Sequence, residues 1–186
     1  MDYDVQSSYN KFQTIPTIPS NLITYMINNE DQLWKLLAYN DANAWRDDSA
    51  HPSLTKEQKG ILVYDGLKEI NSCRLFPNLG QDDSLLVESS FIRIGMPELI
   101  PTNYVRGNTL IGFEILTHYK VSTLSNYQSR DDTILQRILE LFNGADVPGI
   151  GRLFFDAKAS SKCKVYLVGQ LPYRGKALIM CANTMG

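Results

Sequence analysis

Apolar positions recur along this chain with two periods. Leu22, Ile23, Met26 and Ile27 share one face of a 3.6-residue helix, and Ser20 stands ahead of them as an N-cap. The stripe resumes at Leu33, Trp34, Leu36 and Leu37 and runs to about Tyr39, with NNED at 28–31 either breaking or polarising it. A polar connection from Asn40 to Pro52 follows. Thr55 and Gln58 then form a capping box that opens a helix of about 56–70, which Gly60 and Gly66 each weaken by roughly 1 kcal/mol relative to Ala.

Beyond Ser72 the period shortens to two. Cys73–Phe76 reads as a short strand ended by PNLG, and Leu85–Ile92 alternates as a longer one stopped by Gly95-Met96-Pro97. After a loop of about 95–107, Thr109–Lys120 is the clearest strand in the chain, with Ile111, Phe113 and Ile115 on one face. The two long strands fit an antiparallel pair with a wide connection. Asp131 or Asp132 caps the next helix, whose apolar face carries Ile134, Leu135, Ile138, Leu139, Leu141 and Phe142 before Asn143-Gly144 stops it. Strands at Arg152–Phe155, Lys164–Val168 and Lys176–Cys181 complete the order. Strands on either side of one capped helix, with no βαβ alternation, predict an α+β fold: an antiparallel sheet with helices packed on one face. Pro16 and Pro19 favour extended backbone before them, so residues 1–19 are expected to form an extended arm ahead of a single domain at 20–186.

Composition narrows the chemistry. A chain of 186 residues buries about 70% of its unfolded surface and needs no metal or disulfide staple. A net charge of -2 argues against coating nucleic acid by bulk charge. No apolar run approaches a membrane span, and the first twenty residues lack the basic and apolar regions of a secretory signal. Cys73, Cys163 and Cys181 are too dispersed for a zinc site and read as reduced thiols in a cytosolic setting.

His51 and His118 are the chain's two imidazoles. Glu114 and His118 are four positions apart on a strand, about 13 Å, too far to form a catalytic pair; His118 reads as an edge or interface residue. His51, before Pro52, reads as solvated or capping. Gly149-Ile150-Gly151 precedes a strand, the wrong context for a phosphate loop, and reads as a turn. Asp82-Asp83 and Asp131-Asp132 suit turns and caps. Candidate interface residues are the arginines Arg93, Arg106, Arg152 and Arg174, together with His118 and the arm aromatics Tyr3, Tyr9 and Phe12. The arm could lie in a neighbour's groove or add a strand to its sheet edge. No catalytic residue, metal ligand or cofactor site is expected.

LWKLLAYNDANA at 33–44, RLFPNLGQDDS at 74–84, IGFEILTHYKV at 111–121 and ILQRILELFNG…VPGIGRLFF at 134–155 resemble small virion proteins of tailed bacteriophages, over about two thirds of the chain. The FEILTH strand, the RILELFNG helix and the GIGRLFF strand resemble neck and tail-terminator proteins, which cap the tail tube and join it to the head. The resemblance implies a tail-terminator-like α+β subunit in a homo-oligomeric ring, a hexamer favoured, touching neck or connector and tail-tube proteins, with DNA passing its lumen without specific binding. It further implies a non-enzymatic protein of the virion, assembled in the host cytoplasm. The alternatives are another neck, connector or sheath-contacting component, or an intracellular sheet-edge adaptor.

Overall fold

The structure is a computed structural model; residues 12–79, 87–101, 107–156, 161–169 and 171–183 are described. The expected extended arm gives way at Phe12, where Phe12–Thr17 coil into a 3-10 turn that leads into helix α1, Ile18–Asn29. Residues 1–11 of the arm lie outside the described residues. The helix begins before Ser20 because Pro19 sits in its first turn, where a missing N–H costs nothing. Ser20 instead donates its hydroxyl to the Thr17 carbonyl at 2.8 Å.

The apolar stripe is cut at Glu30, which is extended, and resumes as α2, Gln32–Ala38. Trp34, fully buried, donates its indole N–H to the Met26 carbonyl at 3.1 Å and ties the two helices together. Helix α3, Lys56–Ile61, has the expected capping box, with Gln58 N 3.3 Å from Thr55 Oγ1 and Thr55 N 2.9 Å from Gln58 Oε1. It does not reach residue 70. Asp65 accepts from the backbone N–H groups of Leu67 and Lys68, and Gly66 adopts φ +88°, so the chain turns there. Lys59 of α3 donates to the terminal carbonyls of α1 at Ile27, 3.1 Å, and Glu30, 2.7 Å, and pairs with Asp31. It thereby satisfies a helix end that has no basic residue of its own.

The strands are β1 Leu75–Phe76, β2 Ser90–Pro101, β3 Gly107–His118, β4 Asp146–Val147, β5 Gly151–Phe154, β6 Lys164–Val168 and β7 Tyr173–Asn183. Their order is β1-β2-β3-β7-β5-β4, with β6 pairing β7 beside β5. The sheet is mixed: β1 runs parallel to β2, which the long connection 77–89 permits, and the other pairs are antiparallel. Of the expected strand at 85–92, residues 85 and 86 lie outside the described residues, 87–89 are not strand, β2 starts at Ser90, and Gly95-Met96-Pro97 does not end it. The β2–β3 register shifts between Gly95 and Glu98, and this bulge absorbs a proline that has no ladder N–H to give. A Cβ on Gly95 would lie 2.5 Å from Leu79 Cγ, so that position needs glycine for close packing.

Helix α4, Arg130–Phe142, starts at the N-cap Ser129; Asp131 and Asp132 occupy its first turn, and Asn143 ends it as expected. The main core lies between α1, α2 and α4 and one face of the sheet. Leu22, Met26, Trp34, Ile134, Ile138 and Phe142 meet Ile92, Ile94, Ile111, Phe113, Leu178 and Met180. The Phe113 and Phe142 rings stack at 5.3 Å.

Arg130 is fully buried at the start of α4. Its guanidinium donates to the carbonyls of Val121 at 2.8 Å, Leu36 at 2.9 Å, Tyr39 at 2.6 Å and Asp41 at 2.5 Å. Burial pushes its pKa down to about 10, so the group stays charged at neutral pH. Arg130→Met removes the side-chain donor from these carbonyls, of which only that of Asp41 keeps a backbone donor, the Ala44 N–H, and is expected to destabilise the fold by about 3–5 kcal/mol in urea unfolding, with Arg130→Lys intermediate because an ammonium offers fewer donors. A loss for Arg130→Met below about 1 kcal/mol contradicts the clamp.

Candidate assembly surface

The sheet has three outer strands, and they are treated differently. The free side of β1 is closed by the chain at 62–64: Val63 bridges Leu75, Arg74 N donates to Leu62 O at 2.7 Å, and Tyr64 N donates to Leu75 O at 2.9 Å. Strand β4 is two residues long, packs against α1, and buries Val147. Strand β6 pairs with β7 on one side and with no other described strand. It is also apolar and exposed: Leu167 retains 81% of its surface, Tyr166 44% and Val165 37%. An edge of this kind offers unpaired backbone groups to another strand.

The register with β7 assigns the faces. Val165 and Leu167 lie opposite Leu178 and Lys176, on the face that carries the helices. Lys164 and Tyr166 lie opposite Ile179 and Ala177 on the reverse face, with the Lys164 ammonium 5.3 Å from the centre of the Tyr166 ring. On the helical side, β6 and the start of β7 form one wall of a cleft of about 570 Å³; the loop leading into α4 forms the other. Leu167, Arg174, Thr117, Ser122 and Tyr127 line it. Tyr127 is 96% exposed at the tip of a turn closed by the Leu124 N to Gln128 O bond at 2.9 Å. Its φ of +64° is a conformation that costs an L-residue roughly 1 kcal/mol or more.

Those predicted interface residues that are described do not come together. Tyr3, Tyr9 and Arg106 lie outside the described residues, and Phe12 starts the 3-10 turn. Arg93 is 3% exposed with its guanidinium 3.5 Å from Glu114, a cross-strand partner on β2–β3, so it belongs to the interior. His118 is also buried: it lies against the rings of Tyr119 and Tyr173, and its Nδ1 accepts the Lys120 N–H at 3.3 Å. Both are corrected from surface to internal roles. Arg152 is exposed but caps the end of α4, donating from Nε to Gly144 O at 3.1 Å. Only Arg174 stands beside the open edge, in the cleft. Sequence reading missed Leu167, Tyr166 and Tyr127. The signal for the first two was present in KVYLV, a strand apolar on both faces rather than alternating.

His51 is not solvated. Its Nε2 lies 2.9 Å from Asp41 Oδ2 and its Nδ1 2.8 Å from Asp48 Oδ1. The hydrogen bonds from Asp41 and then Asp48 raise its pKa above 6.5. Burial acts to raise the Asp41 carboxyl, but the His51 contact and the Asn43 N–H outweigh it and hold it below its usual value; the His51 contact likewise lowers Asp48. With both ring nitrogens occupied, the imidazole serves as a brace in the 40–52 loop. Neither Asp131 nor Asp132 is the N-cap of α4: Asp131 accepts from the Ser129 hydroxyl and Asp132 pairs with Lys176, both within the first turn. Among the described residues no group of His, Cys, Asp and Glu could hold a metal ion, and no helix is long and apolar enough to cross a membrane. Gly149 and Gly151 both have positive φ, consistent with a turn.

One family model, YomW, matches residues 30–180 of the chain. No curated protein and no solved structure matches.

The His51 brace sets a pH dependence. The raised imidazole pKa adds stability that is complete below 6.5 and is lost as pH rises through the folded value. The depressed carboxylates add stability above 3.8 that is lost as pH falls through theirs. The urea midpoint should therefore be higher near pH 5.5 than near pH 8.5, and His51→Gln should shrink that difference. An unchanged difference in the variant places the pH dependence elsewhere.

Proposed function

The chain belongs to the YomW family, a phage-associated family, and from that premise we propose that it is a structural virion protein at the head–tail junction of a tailed phage: a ring-forming tail terminator that caps the tail tube and joins it to the neck. The observation that carries this reading is the exposed apolar edge of β6, in contrast to the β1 edge, which the chain at 62–64 covers. A subunit of this kind is stiff inside and adhesive at one place, as an assembly unit requires. Its buried cations and its better-placed histidine are spent on internal bracing, which supports a non-enzymatic role.

In this reading the chain forms a homo-oligomeric ring, a hexamer favoured, contacts neck or connector and tail-tube proteins, and lets DNA pass its lumen without specific binding. The net charge of -2 supports that last point, because a cationic lumen would hold the phosphates. Its place is the virion, after assembly in the host cytoplasm.

Mass photometry and negative-stain imaging of the purified chain at micromolar concentration should show closed rings of one size. Leu167→Glu, at a side chain 81% exposed, should leave the circular-dichroism melt unchanged and shift the mass toward monomer. A full chain that stays monomeric and is missing from purified virions sinks the proposal. A monomer that captures a different protein through β6 favours the adaptor instead.

A further inference from the structure

Resting on the ring reading, we infer that the strand completing the β6 edge is the N-terminal segment of a second copy of this chain, residues 1–11. A closed ring needs a contact between two different surfaces. If β6 paired with the β6 of a neighbour, the contact would be its own partner across a two-fold axis, and assembly would stop at a dimer. The chain at 62–64 covers the free side of β1, and β4 is a two-residue strand packed against α1, so neither offers an edge as long and apolar as β6. A segment from elsewhere in the chain would supply the second surface.

The segment MDYDVQSSYNK has the length and the pattern. Eleven extended residues reach up to about 35–40 Å, and covering the five residues of β6 takes about 17 Å of it. In a strand, Asp2 and Asp4 share one face, and Tyr3 and Val5 share the other. Strand β6 is apolar on both faces and carries a cation on one. Val165 and Leu167 form an apolar row on the helical face, and Lys164 and Tyr166 stand on the reverse face. Lys162, just before the strand, pairs with Glu98, and Arg174 and Lys176 follow on β7, which makes this the basic margin of an acidic protein. Pairing in the register that sets Tyr3 and Val5 beside Val165 and Leu167 carries the two aspartates onto the Lys164 face. A slip of one residue would instead set the aspartates on the face of Arg174 and Lys176, with Tyr3 and Val5 beside Lys164 and Tyr166. Tyr3 and Val5 then project toward the cleft rimmed by Leu167 and Tyr127, where an aromatic ring held out at positive φ has no covering side chain among the described residues.

The test uses the full chain carrying Tyr3→Asp and Val5→Asp, which disables the segment and leaves β6 intact. This variant should melt as the parent does and lose the ring. A fluorescent peptide of residues 1–11, titrated into it, should bind saturably, with affinity falling by about tenfold or more when Leu167→Glu is added. Rings of unchanged size from the Tyr3/Val5 variant, without peptide binding, overturn the inference and leave the ring reading standing. A parent chain that is monomeric yet whose variant binds the peptide assigns the segment to its own sheet and overturns both. A monomeric parent with no peptide binding also overturns both.

Discussion

The buried guanidinium of Arg130 is the constraint on which the helical side of this subunit depends. Helix α2 ends at Ala38, and the chain beyond it runs through an irregular loop, so the carbonyls of Leu36, Tyr39 and Asp41 have no ladder to join. The Val121 carbonyl, just past β3, is in the same position. Left unmet, the buried Leu36 carbonyl would cost about 1–3 kcal/mol, whereas Tyr39 and Val121 are half-buried and the exposed Asp41 also accepts the Ala44 N–H at its carbonyl, 3.3 Å. One planar fork reaches all four because α4 starts directly beneath them. Holding the charge there has its own cost, since burial pushes the guanidinium pKa down to about 10.

The same solution recurs nearby. Lys35, fully buried, reaches the Arg46 carbonyl and Asp47, and Lys59 closes the end of α1. His51 links Asp41 to Asp48 across the same loop, so the residue whose carbonyl meets Arg130 is fixed at its side chain as well. A long polar connection is thereby made rigid without secondary structure of its own.

These cations explain what could and could not be read from the residues alone. Helix α4 was legible because Ile134, Ile138 and Phe142 recur on one face and Asn143-Gly144 ends it; β3 was legible because Ile111, Phe113 and Ile115 recur at every second position within a long β-branched and aromatic run. The capping box at Thr55 is local chemistry and held, whereas the helix it opens stopped early at a turn made by Asp65 and Gly66. Strand β2 was misplaced because its start is decided by pairing with β3, and its proline is absorbed by a bulge that only the partner strand defines. Arg93, Lys59 and Arg130 look in the sequence like any solvated charge. Their burial is a long-range fact, set by carbonyls and carboxylates tens of residues away. The assembly surface was half legible: KVYLV was visible as a strand, but its position at an edge depends on the order of the whole sheet.

The withdrawal of cations into the interior also shapes the outside. Arg130 offsets no carboxylate through a direct ion pair, yet its charge is counted in a net of -2, so the solvent-facing surface is more acidic than the formula suggests. Against that background Lys162, Lys164, Arg174 and Lys176 gather beside β6. Lysine on an edge strand is a common way to keep sheets from pairing indiscriminately. Here Lys164 shares its strand with an 81% exposed leucine, a combination that discourages a like-charged edge while leaving apolar surface for an acidic partner strand. Charge and apolar exposure are then carried by the same five residues.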